Sequence, residues 1–185
     1  LFDFRNTRSA RVARAILGDQ PLPGVLVVDR YGAYNQMPCG LQYCYAHLQR
    51  EVEKLEDEFP QEPEITTFVS TLVPLLSQAM KLRTQTLADK AFYAQAQILQ
   101  GEIERTITHG WKHVAVKRIQ EIFQDKHHRL YHWVKDRRVP AENNRAEREL
   151  RPTVIARKVS FGSQSEQGAQ TRASIMSVLF TVKKR

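Results

Sequence analysis

Two carboxylates stand out by their surroundings. Asp29 closes the aliphatic run Gly24-Val25-Leu26-Val27-Val28. Such a run reads as a strand buried on both faces, and ligands of α/β sheets gather beyond the carboxyl ends of strands. Asp is also a favoured turn residue, so capping of the Arg30-Tyr31-Gly32 turn is the structural alternative. Glu147 lies in Asn143-Asn144-Arg145-Ala146-Glu147-Arg148. With Asn144 as N-cap it falls at capping-box spacing, again a structural role. Yet Arg145, Arg148, Arg151 and Arg157 accompany it, with Lys158 beside them. A carboxylate among that many cations suits a place where a metal and DNA phosphates meet.

Cys44-Tyr45-Ala46-His47 is a lone Cys-x-x-His pair. Zinc takes four ligands, and structural sites bring two such pairs. His109, His113, His127, His128 and His132 supply no second pair, so zinc is disfavoured. Cys44 reads as a small buried residue, and His47 as a hydrogen-bonding group or one flanking an active site. The sequence holds no Gly-rich phosphate loop and no Gly-x-Ser-x-Gly elbow.

Elements that position these residues follow from periodicity. Residues 1–4 read as a strand end and 9–17 as a helix from Ser9 to Gly18, with Arg8, Arg11 and Arg14 along one side. The run ending at Asp29 is the clearest strand, and 41–45 is a second. From His47 the period turns helical: Leu48, Val52, Leu55 and Phe59, up to Pro60. Helices are expected over 64–83, 86–108 and 111–135, with Pro74 kinking the first. Val139–Glu142 reads as a linker, 145–151 as a short helix stopped by Pro152, and 153–167 as irregular or hairpin-like. A last helix spans 169–182, with Ala169, Ala173, Met176 and Phe180 on one line and Ile175, Leu179 and Val182 on the next. The sum is an α/β unit with a helical insertion.

Of the 185 residues, 42% are hydrophobic and 26% charged, which suits a core-forming chain. No uninterrupted apolar run approaches the roughly 18 residues of a membrane span, and no signal peptide opens the chain. Cys39 and Cys44 are too few and too close for a disulfide framework, which points to a reduced, cytoplasmic setting. The net charge is +8 and the pI about 9.7, a balance that favours a polyanion such as nucleic acid. Residues 51–64 hold seven acids and one Lys, whereas 145–185 hold nine basic residues and three acids. The positive charge thus collects towards the C-terminus.

Taken together, these segments resemble the catalytic domain of the insertion-sequence-66 family of transposases. The resemblance rests on Val28-Asp29-Arg30-Tyr31-Gly32-Ala33-Tyr34-Asn35, on Cys44-Tyr45-Ala46-His47-Leu48-Gln49-Arg50, and on Asn143-Asn144-Arg145-Ala146-Glu147-Arg148 with Arg151-Pro152. It continues through Ala156-Arg157-Lys158, Phe161-Gly162-Ser163, Gly168-Ala169 and the closing helix. It implies a ribonuclease H-like core with an Asp-Asp-Glu metal triad. Asp29 matches the second Asp and Glu147 the Glu. The first Asp belongs on an earlier strand, upstream of Leu1, so the core is expected to be N-terminally truncated. The expected organisation is a partial α/β core over 1–60, a helical insertion over 61–140 and C-terminal helices completing the core over 141–185.

In the intact enzyme the resemblance implies two Mg²⁺ (or Mn²⁺) ions roughly 3.5–4 Å apart. Asp29 would bridge them and Glu147 would hold one. Arg145, Arg148, Arg151, Arg157 and Lys158 would neutralise phosphates of transposon-end and target DNA. The expected partners are DNA and further copies of the chain, without a membrane. Lacking the first Asp, this chain alone is expected to be inactive. The alternative is a non-catalytic remnant holding duplex DNA through its basic C-terminal region.

Overall fold

The computed structural model describes residues 5, 7, 9–159, 162, 163 and 165–184. The strand end expected at 1–4, together with Asp3 and Arg8, lies outside these residues. The chain divides into two compact units: Asp19–Asn143, and Leu1–Gly18 together with Asn144–Arg185.

The larger unit opens with the only sheet among the described residues. Strand β1 (Val25–Val28) pairs in parallel with β2 (Gly40–Tyr43), in the register Val25↔Gly40 to Val28↔Tyr43. Gly24, with φ at +102°, turns the chain into β1, a backbone setting that disfavours any side chain. At Gly40 a Cβ would sit 3.3 Å from Val25 Cγ2 and 3.4 Å from a His132 ring carbon, so the close strand approach also needs a glycine. The eleven-residue crossover between the strands carries a single 3-10 turn, Gly32–Gln36, in place of a full helix.

Helices α2 (Tyr45–Glu58), α3 (Pro63–Leu82) and α4 (Asp89–Thr108) follow, each at the expected place. Apolar stripes on all three form the core: Leu48, Val52 and Leu55, then Leu72, Leu76, Ala79 and Leu82, then Phe92, Ala96, Leu99 and Ile103 are all buried. Pro74 sits inside α3 without ending it. By length and composition α3 is one helix long and apolar enough to cross a bilayer, although no uninterrupted apolar run reaches that length. Here its apolar side is core: Ile65, Phe68, Val69 and Leu72 are at most 4% exposed.

The helix expected over 111–135 is broken in three: α5 (Val114–Asp125), a 3-10 turn (His127–Arg129) and α6 (His132–Lys135). The break has a physical cause. The Leu130 carbonyl accepts Tyr45 Oη at 2.7 Å, Gln42 Nε2 at 3.0 Å and Trp133 Nε1 at 3.0 Å. In an unbroken helix that oxygen would take the Val134 N–H, which instead donates to the Tyr131 carbonyl. Gln42, fully buried on β2, also accepts the His132 N–H at 2.9 Å and donates to its neighbour's Tyr43 carbonyl. Burial pushes the Tyr45 phenol's pKa well up, so it remains a donor.

In the second unit, α1 (Ala10–Leu17) ends at Gly18, whose φ of +84° lets its N–H reach the Arg14 carbonyl at 2.7 Å. Helix α7 spans Asn144–Val159. It runs through Pro152, contrary to the stop expected there, and Asn144 is already helical rather than its cap. An interior proline costs one helical hydrogen bond, but Ala156, Arg157 and Lys158 are good helix formers. The stop comes instead at Gly162, where φ is +85° and the N–H reaches the Arg157 carbonyl at 2.7 Å. Helix α8 (Glu166–Lys184) starts three residues earlier than expected, because Ser165 caps it. The Ser165 Oγ accepts the Gly168 N–H at 3.1 Å. Ala169 is buried, and Ala173, Met176 and Phe180 are half-buried, while Ile175, Leu179 and Val182 are exposed.

Two outcomes follow from the larger unit. Gln42→Leu leaves the part-buried His132 N–H without its acceptor and should lower urea-measured stability by about 1–3 kcal/mol; an unchanged midpoint would contradict the bridging role. Glu64 of α3 accepts the His113 N–H at 2.6 Å and the Lys112 N–H at 2.7 Å, capping α5 from another helix. The His113 bond foremost holds its carboxyl pKa below the ordinary range. A lowered folded pKa stabilises above the unfolded pKa, and that gain is lost as pH falls through the folded value. Glu64→Gln should therefore lower the Tm at neutral pH, with the difference from the parent shrinking in acid.

Candidate metal and DNA-binding site

Asp29 is the residue after β1 and is half-buried. Its Oδ1 accepts the Tyr31 N–H at 3.1 Å. The carboxylate thus caps the turn, as one reading of the sequence has it, and that bond occupies one of its two oxygens while the group sits at the strand's carboxyl end. Arg30 beside it is committed elsewhere, to an ion pair with Glu51 of α2.

The next residues across the ladder build a corner. The Cys44 N–H donates to the Val28 carbonyl at 2.8 Å, carrying the strand pairing one step past Tyr43. The Tyr45 N–H donates to the Ala141 carbonyl at 2.8 Å, and the Asn143 N–H donates to Cys44 Sγ at 3.4 Å. Residues 141–143 are therefore fastened at the carboxyl end of the sheet, the end that carries Asp29. Cys44 is 1% exposed and Ala141 3%. His47 lies in the first turn of α2, half-buried, with its N–H on the Cys44 carbonyl.

Sequence reasoning treated Val139–Glu142 as a plain linker and missed this anchor. A contact made by backbone N–H and C=O groups leaves no mark on residue type, and the small buried Ala141 was the sole trace. Gln42 was missed for a similar reason: one Gln between Leu41 and Tyr43 looks like ordinary strand alternation.

Glu147 belongs to the other unit, in the first turn of α7, and is half-buried. Arg145, Arg148, Arg151, Arg157 and Lys158 are all exposed on the same helix. At 3.6 residues per turn, Arg148, Arg151 and Lys158 fall along one side with Arg145 at its margin, and Arg157 falls on another. Glu147 and Arg151 are four apart, the spacing of helix neighbours. The structure thus places Asp29 and Cys44 just past the carboxyl ends of the paired strands and His47 in the first turn of α2, all in one unit, and sets Glu147 and its cations on one helix of the other. Among the described residues no three His, Cys, Asp or Glu side chains cluster as a metal-holding group.

The sequence profile of the family described as Transposase IS66 family matches residues 1–171. No curated protein and no solved structure matches the chain.

The packing of the corner is open to a chemical check. Cys39 is half-buried, whereas Cys44 is enclosed and accepts the Asn143 N–H. A thiol reagent should modify Cys39 first and Cys44 only as the protein unfolds. Two equally fast thiols in the native protein would show that the 44–143 anchor is open.

Proposed function

The chain belongs to the IS66 family of transposases, and from that premise we propose that it contributes the second and third carboxylates of a metal-dependent DNA strand-transfer site. The observation that carries the reading is the anchored corner. Asp29 stands at the carboxyl end of a parallel strand pair, and the segment leading into Glu147 is fastened at Asn143 to Cys44, beside that end.

The donor chemistry suits Mg²⁺ or Mn²⁺, which prefer carboxylate oxygens. Asp29 and Glu147 would hold the metal, which when bound activates a water or 3′-hydroxyl and offsets charge on the scissile phosphate. Arg145, Arg148, Arg151, Arg157 and Lys158, all exposed, neutralise and position the DNA backbone. His47, at the same corner as Asp29, flanks the reacting phosphate. A ribonuclease H-like core is supported by β1, which pairs on one side only among the described residues. Its other edge is the place for a strand bearing the first Asp. Self-association is supported by apolar side chains on α7 and α8: Val159, Val178 and Val182 are each more than 60% exposed.

A second reading rests on the same exposed cations. They hold duplex DNA whether or not any bond is cleaved, so the chain would then be a non-catalytic DNA-binding remnant.

With the upstream segment supplied, strand transfer in Mg²⁺ should appear. Asp29→Asn and Glu147→Gln should each lower it by more than about 100-fold, the upper range for losing even a residue that supports a metal ligand, with DNA affinity largely kept. The 185 residues alone should bind DNA without nicking it. Activity that survives Glu147→Gln would remove the triad reading. Salt-sensitive binding with no cleavage under any condition would favour the remnant.

A further inference from the structure

The Asp19–Asn143 unit contains a cavity of about 690 Å³ that lies apart from the Asp29 corner in sequence and shares no residue with it. Arg83, just past α3, and Asp89 and Tyr93, in the opening of α4, line it together with the Lys135–Arg138 stretch that ends α6.

Two of its four cations are already matched. Arg137 forms the floor: its guanidinium donates to the Leu87 carbonyl at 2.6 Å, the Gln85 carbonyl at 3.1 Å and Asp89 Oδ1 at 2.9 Å, and it lies 5.0 Å from the Phe92 ring centre. Arg138 is gripped by Asp136, with Nε–Oδ1 at 3.0 Å and Nη2–Oδ2 at 2.8 Å, yet its side chain is 91% exposed. Arg83 and Lys135 are exposed and have no carboxylate partner among the described residues. The cavity therefore keeps two uncompensated positive charges on its rim. It also has a phenol, Tyr93, whose oxygen takes only the Arg137 N–H, at a long 3.5 Å.

We propose that this cavity is a phosphate-binding site filled by the backbone of duplex DNA, a second contact that the α7 cations do not provide. Arg83 and Lys135 supply the charge. The Tyr93 hydroxyl supplies a further donor, and a contact to the phosphate backbone positions DNA without specifying sequence. The choice of DNA as the phosphate's source rests on the proposed function; the anion chemistry of the cavity does not.

The test uses the full chain. Binding of a fluorescent duplex is followed across a salt series for the parent, for Arg83→Gln/Lys135→Gln and for Arg145→Gln/Arg148→Gln. In parallel, pyrophosphate is titrated while the backbone amide signals of Tyr93 and Arg138 are watched by NMR. Losing two phosphate contacts should flatten the log K against log salt slope by about 1.8 in the Arg83/Lys135 variant. Its melting temperature should stay put, since neither side chain has a partner to lose. An unchanged slope in that variant overturns the proposal, even if the α7 variant is weakened and the proposed function stands. A flattened slope for Arg83/Lys135 alone supports the cavity while counting against the α7 surface. Pyrophosphate shifts without any duplex binding overturn DNA as the source and point to a free phosphate compound.

Discussion

A single carbonyl oxygen decides how the helical block meets the sheet. Leu130 O collects donors from β2, α2 and α6, and Gln42 ties the same carbonyl to its own strand and to the His132 N–H. Buried polar groups of this kind specify geometry because any other arrangement leaves one of them unpaired. Around this point the larger aromatics take their places: Tyr45 meets Trp133 edge-on at 5.9 Å, and Arg129 lies against the Tyr43 ring while donating to its hydroxyl. The 100 residues between β2 and α7 are therefore not an appendage. They share one continuous apolar core with Val28 and Tyr43 of the strands.

That joint in turn fixes the corner beyond the strands. Once Tyr45 is held from below by Leu130, its backbone N–H is presented to Ala141, and Cys44 to Asn143. The chain thus re-enters the neighbourhood of Asp29 after a hundred residues, along a path set by helix packing. The insertion acts as a ruler: its length and its break at 126–131 determine where Asn143 arrives.

Charge follows the same division. The acids of residues 51–64 lie mostly exposed on α2 and the turn into α3, and two are spent structurally: Glu51 on Arg30 and Glu64 on the start of α5. The cations of α7 are exposed.

How far the sequence reached can be judged element by element. Apolar periodicity placed β1, β2, α2, α3 and α4, because a stripe at helical spacing must be buried wherever the helix lies, but it did not mark core residues such as Phe68, Leu130, Tyr131 and Trp133. It also marked Asp29, since a strand's end is visible as the end of its aliphatic run. Local rules failed where a distant group outbid them. Residues 111–135 carry an unbroken helical pattern, yet the carbonyl demanded by Gln42, Tyr45 and Trp133 breaks it. Pro152 signals a stop, yet the helix formers after it carry α7 on to Val159. The sequence alone determined which segments are strands or helices, which faces they hide and which acids and cations exist to do chemistry. Only the tertiary structure decided that Arg137 is already paired and where residues 141–143 are tied down, because both depend on hydrogen bonds between groups some fifty to a hundred positions apart, and backbone donors and acceptors are the same in every residue except proline.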